Sequence, residues 1–402
     1  MKKMISFLGM MLAGWFFCSG VSWGGTYNYG ANEVTYNNAV GIGVVTIGNT
    51  AEAVATWHPD VSMGYFSLGL DVNILLSNQR KTDLETVVLR HIAYEAPDYG
   101  ARYGILSGVT FGYGLLMDNY TTRFQGSSIL TNRQGGGKVY YYFNRNSDVR
   151  YGVNAMATWS SLYAARVTEQ VHPMVIFGQN VVTDVDGVTL KDASGVEQKF
   201  PAHSGYSLDV GFPIRPEFVP YVEYAHLDNG GGGLGAGVKS SFGNPSLAAF
   251  DLKVEYRSFD KKFVPGFFNS GYETNPVNLS SVEATAEATS GFLAGAGLTL
   301  LDGRASAGAT LQSYGGKGGA ALSANAQAVL TDEYSVAAWY DQPSFTSARS
   351  LSFENGAVYT ASLSYKPKSM GGLVITSYYK RYYDSGQQKV VDTTYSEISF
   401  SF

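Results

Sequence analysis

The residues best suited to nucleophilic chemistry are the neighbouring pair His203 and Ser204. The chain contains five histidines and one cysteine. A serine nucleophile requires a hydrogen-bonded base and a third group that orients that base. Neighbouring residues in a strand point to opposite faces of a sheet, so these two side chains are not expected to meet. The sequence therefore predicts no catalytic centre, and we expect the protein not to be an enzyme.

Two other stretches resemble ligand-binding loops only weakly. The stretch "DVDGVTLKD" places Asp184, Asp186 and Asp192 around a glycine, but it lacks the further acidic ligands of a calcium loop. A solvated hairpin loop is the favoured interpretation. The glycines of "NGGGG" follow no strand-to-helix unit, which indicates a tight hairpin turn and not a phosphate loop. We expect no metal and no cofactor.

The strongest functional candidate is an alternating ladder of charges in "FDLKVEYR". Its odd-numbered residues are charged and its even-numbered residues are apolar, so a strand would separate them onto two faces. Charges of both signs facing a water-filled lumen would bias the passage of ions. The alternative is that they pair with neighbouring strands and stiffen the wall. With two polar residues of the later stretch "RASAGATLQ", the predicted pore-lining residues are Asp251, Lys253, Glu255, Arg257, Arg304 and Gln312.

The same alternation recurs along the chain and predicts an all-β fold. It is clear in "YSLDVGF", "LSANAQAV" and "VYTASLSYK". Charged residues make up 15% of the chain, below the roughly 25% of soluble domains, while aromatics reach 14%. A soluble β-sandwich would also alternate, but it does not explain this composition. Alternating strands of about ten residues are typical of a transmembrane antiparallel β-barrel, because a closed sheet satisfies its backbone polar groups in lipid.

The first residues have the layout of a secretory signal peptide. Two lysines precede an apolar run from Met4 to Phe17, and small residues follow, so we expect cleavage after Gly24. Bulky residues precede Cys18, which makes lipidation there improbable. Loss of residues 1–24 removes two lysines and no acidic residue, which changes the net charge from −5 to about −7. The chain has no basic block, so nucleic acid is not an expected partner.

The last residues, "YSEISFSF", alternate to the final phenylalanine. They resemble the C-terminal signal of Gram-negative outer-membrane barrels of the porin and transporter type, in which a terminal Phe ends an alternating last strand. Phe402, Phe400 and Ile398 match this assembly signal, whereas Tyr395 lies on the opposite parity. The resemblance implies the bacterial outer membrane as location. It also implies outer-membrane lipid and the barrel-assembly machinery as partners.

Strands can be counted backwards from this end, which such a barrel places at the periplasm. The count predicts a barrel of about 14 strands over residues 137–402, within a range of about 12 to 18. It takes 150–166 as one strand and 281–301 as one strand, which places 259–280 in an extracellular loop, and it starts the strand at 137–145 from the periplasm. Residues 25–136 remain as an N-terminal segment that forms either extra barrel strands or a plug in the lumen.

The expected function is a channel that lets small solutes cross the outer membrane. One alternative is a plugged transporter for apolar compounds, suggested by residues 25–136 and by the apolar loop "FVPGFFN" (residues 263–269). That loop either folds inward, as a constriction or an apolar binding site, or packs against the rim. A structural or adhesive barrel is the other alternative. A single subunit and a homo-oligomer both stay open.

Overall fold

The computed structural model of the chain is almost entirely β-structure. It describes residues 26–29, 32–47, 50–75, 87–122, 135–143, 149–191, 197–244, 246–269, 271–273, 276–277, 279, 289–314, 320–345, 357–369, 372–384 and 389–401. No helix among these residues is long and apolar enough to cross a membrane. The strands are β1 (Thr26–Tyr29), β2 (Asn32–Ile47), β3 (Thr50–Met63), β4 (Phe66–Leu75), β5 (Val87–Glu95), β6 (Tyr99–Gly104), β7 (Val109–Phe111), β8 (Met117–Tyr120), β9 (Gly136–Phe143), β10 (Arg150–Thr158), β11 (Leu162–His172), β12 (Val175–Asp184), β13 (Thr189–Lys191), β14 (Glu197–Lys199), β15 (Ser204–Gly211), β16 (Phe218–Leu227), β17 (Gly231–Asn244), β18 (Ala248–Phe259), β19 (Thr289–Leu300), β20 (Ala305–Tyr314), β21 (Ala320–Val329), β22 (Tyr334–Phe345), β23 (Val358–Tyr365), β24 (Leu373–Asp384) and β25 (Lys389–Ser401).

One sheet of 21 strands contains all of these except two small hairpins, β7–β8 and β13–β14. Strands that neighbour one another in the sheet are mostly neighbours in the chain, and each pairing is antiparallel, as in β17–β18 and β18–β19. The last strand pairs with an early one: β25 hydrogen-bonds β2 from Ala39↔Ser401 to Ile47↔Thr393. β2 also pairs with β3. The prediction of an all-β antiparallel fold is confirmed.

The predicted count of about 14 strands is wrong, because the sheet has 21. One reason lies in residues 150–166, which the structure divides into β10 and β11. Ser161 adopts a positive φ of 61° and its N–H donates to the Thr158 carbonyl, so the chain reverses at residues 159–161. The stretch "TWSSL" contains no glycine or proline to mark this turn. The extra strand also reverses the predicted direction of β9.

The other reason lies in the N-terminal part of the chain. Strands β2 to β6 belong to the same large sheet as the later strands. After β6 the chain leaves the sheet, forms the hairpin β7–β8, and returns as β9, which pairs with both β6 and β10. This part of the chain therefore supplies strands to the sheet and, in addition, a segment that lies outside it.

The connections between the strands divide into two classes at opposite ends of the sheet. At one end, here the short-turn end, strands are joined by brief turns such as 64–65, 96–98, 173–174, 301–304 and 330–333. The connections with most residues, 105–135, 185–203 and 260–288, fall at the other end, here the long-connection end. Since the described part of 281–301 contributes one strand, β19, the connection between β18 and β19 lies at the long-connection end, as the sequence predicts.

The two faces of the sheet differ in polarity, and β18 shows the difference clearly. Glu255 and Arg257 are each 1% exposed, although both are charged. Leu252 and Val254, which point the opposite way, are 42% and 45% exposed. We call the face with the buried charges the inner face and the other the outer face. Exposed apolar side chains on the outer face are spread over nearly all of the sheet.

Aromatic side chains of the outer face form two belts. At the short-turn end, ring contacts join Tyr65–Tyr94, Tyr94–Tyr99, Tyr99–Tyr141, Phe242–Phe250 and Tyr334–Tyr365. At the long-connection end, they join Tyr103–Trp159, Tyr206–Tyr224, Tyr206–His226 and Tyr256–Phe292. On β18 the belts are six residues apart, from Phe250 to Tyr256, which corresponds to about 20 Å along the strand.

Candidate functional site

Two segments from the long-connection end pack against the inner face. The first inward segment comprises residues 105–122 and carries β7 and β8; the second comprises the described residues between 260 and 273. Their backbones are joined, because Gly266 N–H donates to the Leu115 carbonyl at 2.8 Å and Phe268 N–H donates to the Leu116 carbonyl at 3.2 Å. Asp118 N–H completes the junction by donating to the Phe268 carbonyl at 3.1 Å.

A shared apolar core holds these segments in place. Phe267 and Phe268 are 2% and 0% exposed, and their rings meet edge to face at 5.1 Å. The core combines residues of the first segment, the second segment and the inner face: Leu106, Val109, Phe111, Leu115, Leu116, Met117, Tyr120, Met156, Leu162, Ala164, Val182, Ala225, Leu227, Phe259, Phe263, Phe267, Phe268 and Tyr272. The loop "FVPGFFN" therefore folds inward. Because its three rings are buried, they have little surface left for an apolar ligand.

The tip of the first inward segment rests on a buried carboxylate of β16. Glu223 is 1% exposed, and its Oε2 accepts hydrogen bonds from the backbone N–H groups of Tyr113 and Leu115, both at 3.0 Å. The Tyr113 ring stacks on Tyr221 with centroids 3.7 Å apart and planes 6° apart. Burial, reinforced by the charge of Asp209, raises the pKa of Tyr113 to about 12, so its hydroxyl stays protonated.

A polar network on the inner face lies next to this tip. Arg166 forms a two-pronged ion pair with Asp209, at 2.6 and 3.0 Å, and it also donates to Asn180 Oδ1 at 2.7 Å. Asn180 Nδ2 donates to Ser207 Oγ at 2.6 Å, and Ser207 donates to Glu223 Oε1 at 3.0 Å. Buried charges are tolerated only when they are paired and hydrogen-bonded, and this network meets both conditions.

The predicted charge ladder on β18 also faces inward, and three of its members form one network. Arg257 Nε donates to Glu255 Oε1 at 2.5 Å, and Lys253 Nζ lies 3.3 Å from Glu255 Oε2. Tyr221 donates to the same carboxylate at 2.6 Å, while Lys253 also donates to the Tyr113 carbonyl at 2.5 Å. The ladder therefore pairs within the wall, as the alternative interpretation expects, and Lys253 also reaches the first inward segment. An effect of these charges on ion passage stays a prediction.

The other predicted site residues lie elsewhere. Arg304 is in the turn at the short-turn end, where its side chain is 54% exposed and lies 3.5 Å from Asp332. Gln312 is half-buried on β20, at the parity of Thr310, which lines the cavity described below. Ile398 is 49% exposed on the outer face, the backbone of Phe400 pairs with β2 and β24, and Phe402 lies outside the described residues, as does the signal peptide.

An open cavity of about 500 Å³ lies beside the first inward segment. Its lining includes Gly295, Gly297 and Gly308, three glycines that leave room because they have no side chains. Charged groups of both signs and several hydroxyl groups surround it: Lys239, Ser240, Asp251, Lys253, Thr310, Ser323, Asp341 and Thr360. Asn119 of the first inward segment also lines it. A cavity of this size and polarity can hold or pass a small hydrated solute.

Near the long-connection end, acidic residues serve as structural acceptors. Glu273 accepts hydrogen bonds from the hydroxyls of Tyr120 and Ser160, and burial raises the pKa of this carboxyl. Asp184 accepts from Tyr272 at 2.6 Å and from the Gly187 N–H at 2.9 Å. Within the described ranges, no group of three or more metal-binding side chains occurs.

The residues considered for nucleophilic chemistry have structural roles. His203 is 6% exposed and packs edge to face on Phe267 at 5.1 Å, and burial lowers the pKa of this histidine. Ser204 Oγ instead contacts Thr183 Oγ1 at 2.6 Å. His226 contacts Tyr206 within the outer-face belt at the long-connection end. The turn "NGGGG" joins β16 to β17, with a positive φ at Asn229 and Gly231.

Sequence reasoning did not find Glu223 and the tip that it holds. The alternation in β16 places Val222 and Tyr224 on the outer face, where they are 42% and 39% exposed. The inner face of that strand mixes Tyr221 and Glu223 with alanine and leucine, so in the sequence it is hardly more polar than the outer face. A lone glutamate in an apolar strand was the available signal.

Together, the fold and the inner face define the class of this protein. It is an all-β protein in which one large antiparallel sheet carries buried charges and two packed segments on its inner face. Its outer face is apolar, exposed and bordered by aromatic belts.

Comparison with known proteins adds three similar solved structures. No protein-family model and no curated protein matches the chain. A BenF-like porin from Pseudomonas fluorescens Pf-5 shares 9% identity at a TM-score of 0.44, covering 92% of this chain and 98% of that one. Acinetobacter baumannii OccAB2 shares 11% at 0.43, with coverage of 92% and 98%. Pseudomonas aeruginosa OccK11 (OpdR) shares 10% at 0.42, with 92% and 96%. These likenesses are weak, so the function is inferred from the residues of this chain.

Proposed function

We propose that this protein is an outer-membrane channel for small polar solutes, built as a closed transmembrane β-barrel with the two inward segments in its lumen. The observation that carries the proposal is the inverted polarity of the sheet. Charged side chains such as Glu255 and Arg257 are buried inside, whereas large apolar side chains are exposed outside. Water would disfavour such an outer face over so many strands. Lipid favours it, and the two aromatic belts fit the two membrane interfaces.

The cavity favours passage of solutes over a blocked lumen. It lies beside the first inward segment, it is lined by hydroxyls and by charges of both signs, and it reaches about 500 Å³. In this arrangement the short-turn end faces the periplasm and the long-connection end faces outward, as in barrels of this type. A cleaved signal peptide and recognition by the assembly machinery remain predictions from the sequence, which leaves a single subunit and a homo-oligomer both open.

The second candidate is the plugged transporter. The apolar core between the inward segments favours it, because Phe268 and Leu115 are fully buried and hold the two segments together. In that case the cavity would be a binding pocket whose outlet opens only when the segments move.

Single-channel recording of the purified protein in a planar bilayer separates the two candidates. Steady openings in symmetric salt are the result expected for the channel. A folded protein, shown by heat-modifiable gel mobility, that stays electrically silent would contradict the channel and favour the plugged transporter. Swelling of vesicles in solutions of small neutral sugars provides the matching measurement for uncharged solutes.

Ion selectivity should follow the charges of the cavity. A unit charge about 10 Å from a permeating ion in water contributes about 0.4 kcal/mol, close to a factor of two in local ion concentration. Lys239→Gln is therefore expected to shift the permeability ratio about twofold toward cations, and Asp341→Asn about twofold toward anions. Reversal potentials across a salt gradient measure both shifts. The control is Lys368→Gln, because that side chain is 69% exposed in a turn at the short-turn end. Equal reversal potentials for all four proteins would exclude the cavity as the ion path.

A further inference from the structure

We propose that Glu223 is a positioning residue that holds residues 112–115, the tip of the first inward segment, against the wall and thereby sets the width of the channel. The proposal rests on the proposed function and extends it to the residue that determines solute size. We call the contact between Glu223 and this tip the Glu223 clamp.

The clamp is a buried contact made by three hydrogen bonds. Glu223 Oε2 accepts from two backbone N–H groups of the tip, those of Tyr113 and Leu115, at 3.0 Å each. Its Oε1 accepts from Ser207, which is fully buried. Among the described residues these are its hydrogen-bond donors, so removal of the tip would leave the carboxylate with Ser207. Because a buried carboxylate requires such donors, the tip and the carboxylate stabilise each other.

The wall side of the clamp is fixed in orientation. Arg166 donates to Asn180, and Asn180 donates to Ser207. Because the Ser207 oxygen already accepts this hydrogen bond, its hydroxyl proton points at Glu223. Asn180 is 4% exposed, and Ser207 and Glu223 are exposed by no more than 1%. Side chains that are buried and bonded on several sides cannot follow a displaced tip, so the carboxylate acts as a fixed anchor.

The tip is shaped to fit this anchor. Gly112 has a φ of +67°, and a Cβ built on it would lie 2.3 Å from Glu223 Oε1, which is too close for any side chain. A glycine on the wall accommodates the next residue, because a Cβ at Gly211 would lie 2.0 Å from the Tyr113 hydroxyl. The Tyr113 ring stacks on Tyr221, and Lys253 Nζ donates to the Tyr113 carbonyl.

The clamp also reaches the solute path. Lys253 both lines the cavity and holds the tip, and Asn119 of the same segment also lines the cavity. Leu115, whose N–H is bound by Glu223, accepts through its carbonyl the hydrogen bond from Gly266 of the second inward segment. Release of the tip would therefore loosen the junction between the two segments and widen the lumen beside the cavity.

The test compares single-channel conductance in two variants that break the clamp from opposite sides. Glu223→Ala removes the anchor, and Gly112→Ala displaces the tip while leaving the wall unchanged. Loss of two buried hydrogen bonds is expected to raise the occupancy of a wider conductance level at least about tenfold. Glu223→Gln, which keeps one acceptor oxygen where the carboxyl group has two, should give an intermediate value. Vesicle swelling should show a larger size limit for neutral sugars in the same order.

Two control variants separate the clamp from general damage. Gly108→Ala introduces the same backbone strain in the same segment, at φ +68°, but its Cβ meets nothing closer than Asn119 Oδ1 at 3.5 Å. Asp71→Asn alters a buried carboxylate of β4, 5% exposed, which lies 3.0 Å from His58 Nδ1 and 3.6 Å from Arg90 Nη1, on a strand that carries no part of the clamp. Both should keep the wild-type conductance levels.

The outcomes distinguish this proposal from the proposed function. A conducting wild type whose Glu223→Ala and Gly112→Ala variants keep its conductance levels would overturn the clamp and leave the channel intact. A silent wild type with conducting variants would support the clamp and contradict the open channel. Silence from all of the folded proteins would overturn both. If Glu223→Ala fails to fold, Gly112→Ala against Gly108→Ala still decides the question.

Discussion

Replacing Val254 with arginine is expected to lower the free energy of unfolding by about 2–4 kcal/mol when the protein is embedded in lipid. Val254 lies on the outer face of β18, 45% exposed, between Phe250 and Tyr256 of the two aromatic belts. A charge near the middle of the apolar layer has to leave water, and this is the source of the cost. On a water-facing surface the same replacement would change the free energy of unfolding by less than about 0.5 kcal/mol. Reversible urea unfolding in phospholipid vesicles measures the difference.

The matched control for this prediction is Ser323→Arg. Ser323 is exposed like Val254 and lies in the middle of a strand, but it lines the cavity on the inner face. Added charge there stays in water, so we expect a change within about 0.5 kcal/mol. Equal losses in the free energy of unfolding at the two positions would show that the outer face does not meet lipid, and the transmembrane proposal would then be wrong.

Removing the Arg257 side chain is expected to lower the free energy of unfolding at least as much. Here the cost comes from taking a charge away, because its buried partner is left unpaired. Arg257 and Glu255 are each 1% exposed and lie 2.5 Å apart through Nε and Oε1. The variant Arg257→Ala leaves the carboxylate buried without its main counter-charge, which costs about 3–5 kcal/mol. Lys253 at 3.3 Å and Tyr221 at 2.6 Å compensate for only part of that loss. The same vesicle unfolding experiment provides the measurement.

Two comparisons make this second prediction specific to burial. Arg304→Ala breaks an ion pair of similar chemistry at 3.5 Å from Asp332, but both of its side chains are more than half exposed. Exposed pairs contribute about 0–1 kcal/mol, so that variant should unfold almost like the wild type. The double replacement of Glu255 by Leu and Arg257 by Met should be less destabilised than Arg257→Ala, since it leaves no buried charge unpaired. Similar losses for Arg257→Ala and Arg304→Ala would show that water reaches Arg257.

The contrast between the two arginines shows where sequence reasoning reaches its limit. Both were predicted to line a pore from alternation alone. Alternation assigns a side chain to a face, and it did so correctly for Val254 and Glu255. It does not report how far along a strand the residue lies or what covers that face. Arg304 therefore lies in a turn, and Arg257 lies in a buried ion pair.

The sequence by itself determined the all-β antiparallel fold and the parity of most strands, because side chains alternate between faces with a period of two whatever the rest of the chain does. It also determined which end of the sheet carries the long connection after β18. Only the tertiary structure decided that β2 to β6 join the same sheet, that the chain turns at Ser161, and that residues 105–122 pack inside. The hydrogen bond from Tyr113 to Glu223 joins residues 110 positions apart. Such a contact leaves no periodic trace in either stretch, since its geometry depends on the curvature of the whole sheet and on glycines that matter only where two backbones meet.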